Sequence, residues 1–152
     1  MTIEGSLNGD GLHLGIAVAS WNRTITDRLL EGARGRCKEL GVSDVTVLRV
    51  PGSLELPVAA LTLARAGCDA VVAIGTVVKG DTDHYDIVVR DSSTGLTRVA
   101  LDTGVPVTNA ILAVHNIKDA LERAGEGPSN KGHEAVDAAV QTANAIGKLK
   151  GI

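Results

Sequence analysis

Four short apolar runs, separated by stretches with helical spacing, constrain this chain more than any other feature. Leu12 to Ala19 reads LHLGIAVA, Val45 to Val50 reads VTVLRV, and Ala70 to Gly75 reads AVVAIG. A fourth run lies within Val105 to Val114. Runs of this length, closed by turn residues such as Ser20-Trp21-Asn22 and Pro51-Gly52, predict buried strands. Between the first two, apolar residues recur at Leu29, Ala33, Cys37 and Leu40, and Gly41 suits a helix C-terminus. A second helix is predicted from about Glu55 to Ala66, with Pro57 tolerated in its first turn. A third follows His84 and runs to about Asp102. Two more flank the loop Gly125 to Asn130. Strand alternating with helix predicts an α/β fold with a parallel sheet covered on both faces. Ligands gather outside the carboxyl ends of such strands. That rule selects Trp21-Asn22, Pro51 to Glu55, Val77 to His84 and the region Asn109 to Asn116.

A chain of 152 residues suits one domain with one sizeable core, so residues 1–152 are predicted to form a single domain. No internal repeat, linker or low-complexity segment interrupts it. Residues 1–9 precede the first strand and read as an arm of the kind that docks on a neighbouring subunit. Phenylalanine is absent, and Trp21 and Tyr85 are the only aromatics. The core must therefore be aliphatic and alanine-rich, which makes the lone Trp a candidate for a site. The net charge of -3 comes without a basic stripe, which argues against nucleic acid as a partner. No basic and apolar N-terminal run predicts a signal peptide, and no apolar run reaches the roughly 18 residues of a membrane helix. Cys37 and Cys68 lack metal spacing and read as thiols in a reducing compartment, so a cytoplasmic location is expected. With no GxGxxG, P-loop, GxSxG or CxxC, a nucleotide-dependent dehydrogenase or kinase has little support.

The segment Lys79-Gly80-Asp81-Thr82-Asp83-His84 holds the most chemistry. Gly80 lets the backbone approach a ligand closely, Thr82 offers a hydroxyl, and free N–H groups at a helix start attract anions. His84 can move protons near neutral pH. The same residues also read as a plain helix cap, with Thr82 or Asp83 at the N-cap and His84 on the surface. Asp81 and Asp83 count against a purely electrostatic phosphate site, so backbone donors must do much of any binding. Arg123 and Lys131 flank a glycine-containing loop. Either can hold phosphate or a polar ring oxygen, Arg with the better bidentate grip, or be a solvated charge near a helix end. Trp21 can stack on a flat heterocycle or be a partly buried core aromatic. Glu55 can accept hydrogen bonds from a polyol or favour a helix N-terminus. His13, His115 and His133 have no metal-ligand partners at convincing spacing and read as structural.

The segments IEGSLNGDGLHLGIAVASWN, VPGSLELPVAA, AIGTVVKGDTDHYDIV, DTGVPV, ALERAG and NKGHEAVDAA follow one another in order. In this order and spacing they resemble the lumazine synthase family nearly from end to end. The resemblance implies a flavodoxin-like three-layer sandwich with a four-stranded parallel sheet and an N-terminal arm strand. It implies at least a pentamer, with active sites between neighbouring subunits. It also implies roles. Trp21 stands where an aromatic stacks on the pyrimidine. Asn22, Ser53 and Glu55 bind the ring and ribityl edges, Leu54 takes part in the pocket wall, and Val77 and Val78 supply backbone contacts to the ring. Gly80, Asp81 and Thr82 form the phosphate turn. Arg123 of the adjacent subunit grips the phosphate, Lys131 contacts the ring, and His84 is the principal proton carrier.

The chain departs from the family at several of these positions. Leu54 stands where an aromatic is usual, Lys79 where Arg is usual, and Asp83 where Pro or Thr is common. Asn109 stands where Phe often forms a second wall across the interface. The segment Ala110-Ile111-Leu112-Ala113 replaces a usual Gly-Val-Leu-Thr. The phosphate and proton-transfer residues remain, while the aromatic wall thins. Asn109 can replace lost stacking with a hydrogen bond.

The resemblance implies condensation of 5-amino-6-(D-ribitylamino)uracil with 3,4-dihydroxy-2-butanone 4-phosphate to 6,7-dimethyl-8-ribityllumazine, without metal or redox cofactor. The partners it implies are these substrates and further copies of the chain, with riboflavin synthase as a candidate. The short turn Gly125 to Asn130 goes, in the family, with an icosahedral shell of pentamers. Two other readings remain at this point: a non-catalytic lumazine- or flavin-binding or shell-forming paralogue, and a generic flavodoxin-like phosphate-binding module.

Overall fold

A computed structural model describes residues 1–151. The apolar runs become strands β1 (His13–Ala19), β2 (Asp44–Val50), β3 (Ala70–Val78) and β4 (Val107–Val114). Among the described residues they form one parallel sheet in the order β2-β1-β3-β4. Helices α1 (Arg23–Leu40), α2 (Leu56–Arg65), α3 (His84–Thr103), α4 (Ile117–Arg123) and α5 (Lys131–Leu149) cover it. Strand order and layering are those of a flavodoxin-like α/β sandwich. Pro57 sits in the first turn of α2, where a missing N–H costs nothing. A 3-10 turn at Ser53–Glu55 precedes that helix.

The sheet separates two packed layers. Leu14, Ile16, Val18, Val72, Ile74, Ala110, Leu112 and Val114 face Leu29, Ala33, Val136 and Val140 of α1 and α5. Ala17, Ala19, Val71 and Ala73 face Leu56, Leu63, Leu96 and Val99 of α2 and α3. Successive strand residues point to opposite faces, and β1 and β3 are buried on both. The second layer is built on smaller strand residues, so α2 approaches closely. A Cβ on Gly15 would lie 3.0 Å from Cys68 Sγ and 3.1 Å from Leu63 Cβ. Helices α1 and α5 are also tied by a two-pronged ion pair. Arg36 Nε donates to Asp137 Oδ1 at 2.6 Å and Nη2 to Oδ2 at 3.3 Å. The bond to Asp137 raises the guanidinium pKa above its ordinary value.

Within the single chain the arm lies against α5. Residues 1–9 form no strand within the chain. A strand needs a sheet edge to pair with, and these carbonyls are taken instead by α5. Asn144 Nδ2 donates to Ser6 O at 2.9 Å and Asn8 O at 2.8 Å, and Lys148 Nζ to Glu4 O at 2.8 Å. Among the described residues no helix is long and apolar enough to cross a membrane.

Candidate active site

In this strand order the connections turn back between β1 and β3, which opens a crevice at their carboxyl ends. Trp21 stands there, 66% exposed, so it is no core aromatic. Its ring lies over Gly52: a Cβ at that position would meet Cζ3 at 2.5 Å and Cε3 at 2.6 Å. The Trp21 backbone N–H donates to Pro51 O at 2.9 Å, joining the loops after β1 and β2. Asn22 is the one non-glycine residue with positive φ among those described, at φ 61° and ψ 45°. Asn tolerates this left-handed conformation better than most residues. Its Nδ2 donates to Thr76 O at 2.9 Å and fastens the loop to β3.

The loop after β2 is held equally closely. Gly52 N–H donates to Glu55 Oε1 at 3.0 Å, so this carboxylate serves the turn with one oxygen. Ser53 is buried, and the lack of a Cβ on Gly75 makes room for its hydroxyl. Leu54 is exposed at 40%. Val77 and Val78 end β3 half-buried. The following turn is open. Gly80, Asp81, Thr82, Asp83 and His84 are all exposed. Asp83 takes the N-cap position of α3 without a side-chain hydrogen bond, and Thr82 Oγ1 accepts only a long 3.4 Å bond from His84 N–H. A side-chain cap therefore accounts poorly for this turn.

Arg123 and Lys131 gather elsewhere, at the β4 edge. They line a cavity of about 310 Å³ with Asp119 and the segment Ile111 to His115. Arg123 Nη1 donates to Asp119 O at 3.0 Å, and Lys131 Nζ lies 3.2 Å from Glu134 Oε1. None of Trp21, Asn22, Ser53 or Glu55 lines this cavity. Asn109 lies outside it too, turned toward α3. Its Nδ2 donates to Ser93 Oγ at 3.1 Å and its Oδ1 accepts from Ile111 N–H at 2.8 Å, which leaves one amide hydrogen for a ligand. A larger hollow of about 840 Å³, between α1 and the α4–α5 loop, holds none of the candidate substrate-binding or catalytic residues.

Three features escaped the sequence reading. Asn130, 2% exposed, organises the α4–α5 loop. Its Oδ1 accepts from Gly132 and His133 N–H, and its Nδ2 donates to Gly125 O and Arg28 O. Asparagine just before a helix is an N-cap signal that could have found it. The Thr76 hydroxyl is buried near the end of β3 without a hydrogen-bond partner among the described residues. His115 lines the Arg123–Lys131 cavity, and its ring meets Tyr85 edge-on at 6.3 Å and 76°. Both cysteines are buried: burial pushes the Cys37 thiol up to about 11, and burial, with Asp44 and Asp69 nearby, raises Cys68.

The sequence profile of 6,7-dimethyl-8-ribityllumazine synthase matches residues 11–146. The chain belongs to this family. A relative from Kineococcus radiotolerans, named 6,7-dimethyl-8-ribityllumazine synthase, is 48% identical over 94% of this chain and 90% of its own. Relatives of the same name come from Streptomyces avermitilis, 48% identical over 91% and 88%, and Thermococcus onnurineus, 45% identical over 96% and 96%. The family match encloses every candidate residue from Trp21 to Lys131.

Proposed function

We propose that this chain performs the reaction for which its relatives are named, in a pocket completed by a second copy. It condenses 5-amino-6-(D-ribitylamino)uracil with 3,4-dihydroxy-2-butanone 4-phosphate. The 5-amino group attacks the ketone, water leaves, and an imine forms. Proton loss from the adjacent carbon drives out phosphate, and the ribitylamino nitrogen closes the ring with loss of a second water. The product is 6,7-dimethyl-8-ribityllumazine.

The observation that carries this reading is the exposed indole of Trp21 laid over Gly52 at the mouth of the sheet. A flat heterocycle stacks on such a face. Asn22, Ser53 and Glu55 bind its ring and ribityl edges, Leu54 flanks it, and the backbone at Val77 and Val78 reads its polar rim. Gly80, Asp81 and Thr82 receive the phosphate at the open start of α3. His84 carries protons through imine formation, elimination and ring closure. Substrate amines are the nucleophiles, in keeping with two thiols held protonated. Holding two substrates together and moving protons supplies most of what such a sequence needs.

Arg123, Lys131 and Asn109 act in the neighbour's pocket. The support for this is their place on an edge strand and its flanking helices, away from Trp21. One repeated heterologous contact closes a ring, and a pentamer follows from the family resemblance. The short α4–α5 turn favours a shell of pentamers, with Gly127 at φ 91° making the bend. Mixing both substrates with the protein and following lumazine absorbance and phosphate release tests the reading. One phosphate per lumazine is expected, and a purified assembly that forms neither overturns it.

A further inference from the structure

His115 belongs to no role assigned so far, yet it shares a cavity with the two cations of the β4 corner. The last residues of β4 carry it past the end of the sheet, between the start of α3 and the start of α4. Its ring stands edge-on against Tyr85, the residue that follows His84. An edge contact of this kind fixes the plane of an imidazole without using either nitrogen. No protein hydrogen bond to either ring nitrogen of His115 is formed among the described residues, in contrast to His13, whose Nε2 lies 2.8 Å from Thr46 Oγ1.

We propose that His115 is a third, pH-dependent cation of the phosphate-binding half-site, acting beside Arg123 and Lys131 on a phosphoryl dianion. The inference rests on the phosphate reading of that cavity. The charges facing His115 come from every element around it. Asp119 and Arg123 of α4 and Lys131 of α5 line the cavity with it, Glu134 of α5 pairs with Lys131, and Asp83, His84 and Asp86 lie on the cap and first turn of α3, whose Tyr85 meets the ring. The Asp119 and Glu134 carboxylates offset the Arg123 and Lys131 charges, so a proton on His115 tips the local balance toward an anion. Protonation of an imidazole adds one more charge and a second N–H donor. The cavity then binds a dianion more tightly as pH falls, and loses that advantage as the proton leaves.

Sulfate is the suitable probe, because its charge is constant across the range where phosphate itself titrates. Equilibrium dialysis of labelled sulfate against the assembled full-length protein, at pH 5.5 and 8.5 and fixed ionic strength, reads the effect. Binding about tenfold tighter at the lower pH is expected, the scale of one added charge-assisted contact. His115→Gln removes most of that pH dependence and keeps the high-pH affinity, whereas His84→Gln leaves the contribution of His115 in place. Equal pH dependence in wild type and His115→Gln overturns the inference. Arg123→Ala separates it from the reading beneath it. If Arg123→Ala abolishes sulfate binding while His115→Gln changes nothing, the phosphate site stands and His115 is no part of it. If Arg123→Ala leaves sulfate binding intact, the phosphate site is elsewhere and the inference falls with it.

Discussion

At the carboxyl ends of β1 and β3 the site residues are fixed by backbone. Asn22 is bonded to Thr76 O, Gly52 N–H to the Glu55 carboxylate, and Trp21 rests on a residue without a side chain. At the β4 corner Arg123 and Lys131 are long side chains at two helix ends, each engaged by one local bond. The two halves meet different demands. A stacking plane works only if it is placed within a fraction of an ångström, so its support must be rigid. A phosphate dianion accepts cations from many directions, and a flexible chain finds it. What must be rigid at the corner is the loop that sets the two helix ends apart, and Asn130 supplies that.

Arg123→Ala is the sharpest way to break this comparison. The apparent KM for the sugar phosphate should rise by an amount worth about 2–5 kcal/mol, the cost of losing a charge-assisted contact to a desolvated anion. The pyrimidine should be affected far less. Steady-state kinetics with each substrate varied in turn checks this, and equal effects on both would refute a separate phosphate half.

Asn130→Ala attacks the frame rather than the charge. It leaves two N–H groups of α5, the loop carbonyl of Gly125 and the α1 carbonyl of Arg28 without this partner. A loss of about 2–4 kcal/mol of stability is expected, from a helix cap and buried polar groups left unpaired. Denaturant unfolding at a fixed protein concentration measures it, since assembly makes the midpoint concentration-dependent. A variant as stable as wild type would show that the loop is held by other means.

How far the sequence foretold these two halves follows from the range of the forces in each. The runs that became β1 and β3 were visible because strands covered on both faces are apolar at nearly every position. Gly41 and Pro57 marked helix ends because their constraints are local. The reach of β3 to Val78 was not visible, since Thr76 interrupts the apolar run and its hydroxyl is buried without a hydrogen-bond partner among the described residues. Trp21 was legible as a candidate from its place at a strand end and from its rarity, and its exposure then excluded a place in the core. Asn130 was legible only as a helix cap, since its bond to Arg28 O spans 102 positions and no local pattern announces that partner. His115 reads as structural in the sequence for want of metal-ligand spacing, and only the folded chain brings it beside Tyr85 and into the cavity of Arg123 and Lys131.

The rigidity of the ring half can be tested at Asn22. Alanine there keeps the left-handed backbone at a cost of about 1 kcal/mol and also loses the bond to Thr76 O, worth about 1 kcal/mol. Glycine loses the bond but accepts the backbone freely. Asn22→Ala should therefore be less stable than Asn22→Gly by about 1 kcal/mol, and both should bind the pyrimidine more weakly than wild type. Thermal unfolding and pyrimidine titration read the two effects. Equal stability of the two variants would mean that the loop relaxes out of the left-handed conformation and that the half-site is softer than described.

Trp21 gives the smallest perturbation, because nothing need be mutated. It is the only Trp in the chain, so its emission has one source. In the free protein the indole is exposed on one face and backed by Gly52 on the other. A pyrimidine or lumazine placed on the open face removes water from the ring and stacks against it, so emission should change in intensity or wavelength on binding. Sulfate, held where the sugar phosphate's anion binds and away from the indole, should leave it nearly unchanged even when saturating. That contrast separates the two halves in one titration. An unchanged signal at pyrimidine saturation, with binding verified by calorimetry, would remove Trp21 from the pocket. An equal response to sulfate would instead show that the halves move together, through the loops that the contact of Tyr85 with His115 links.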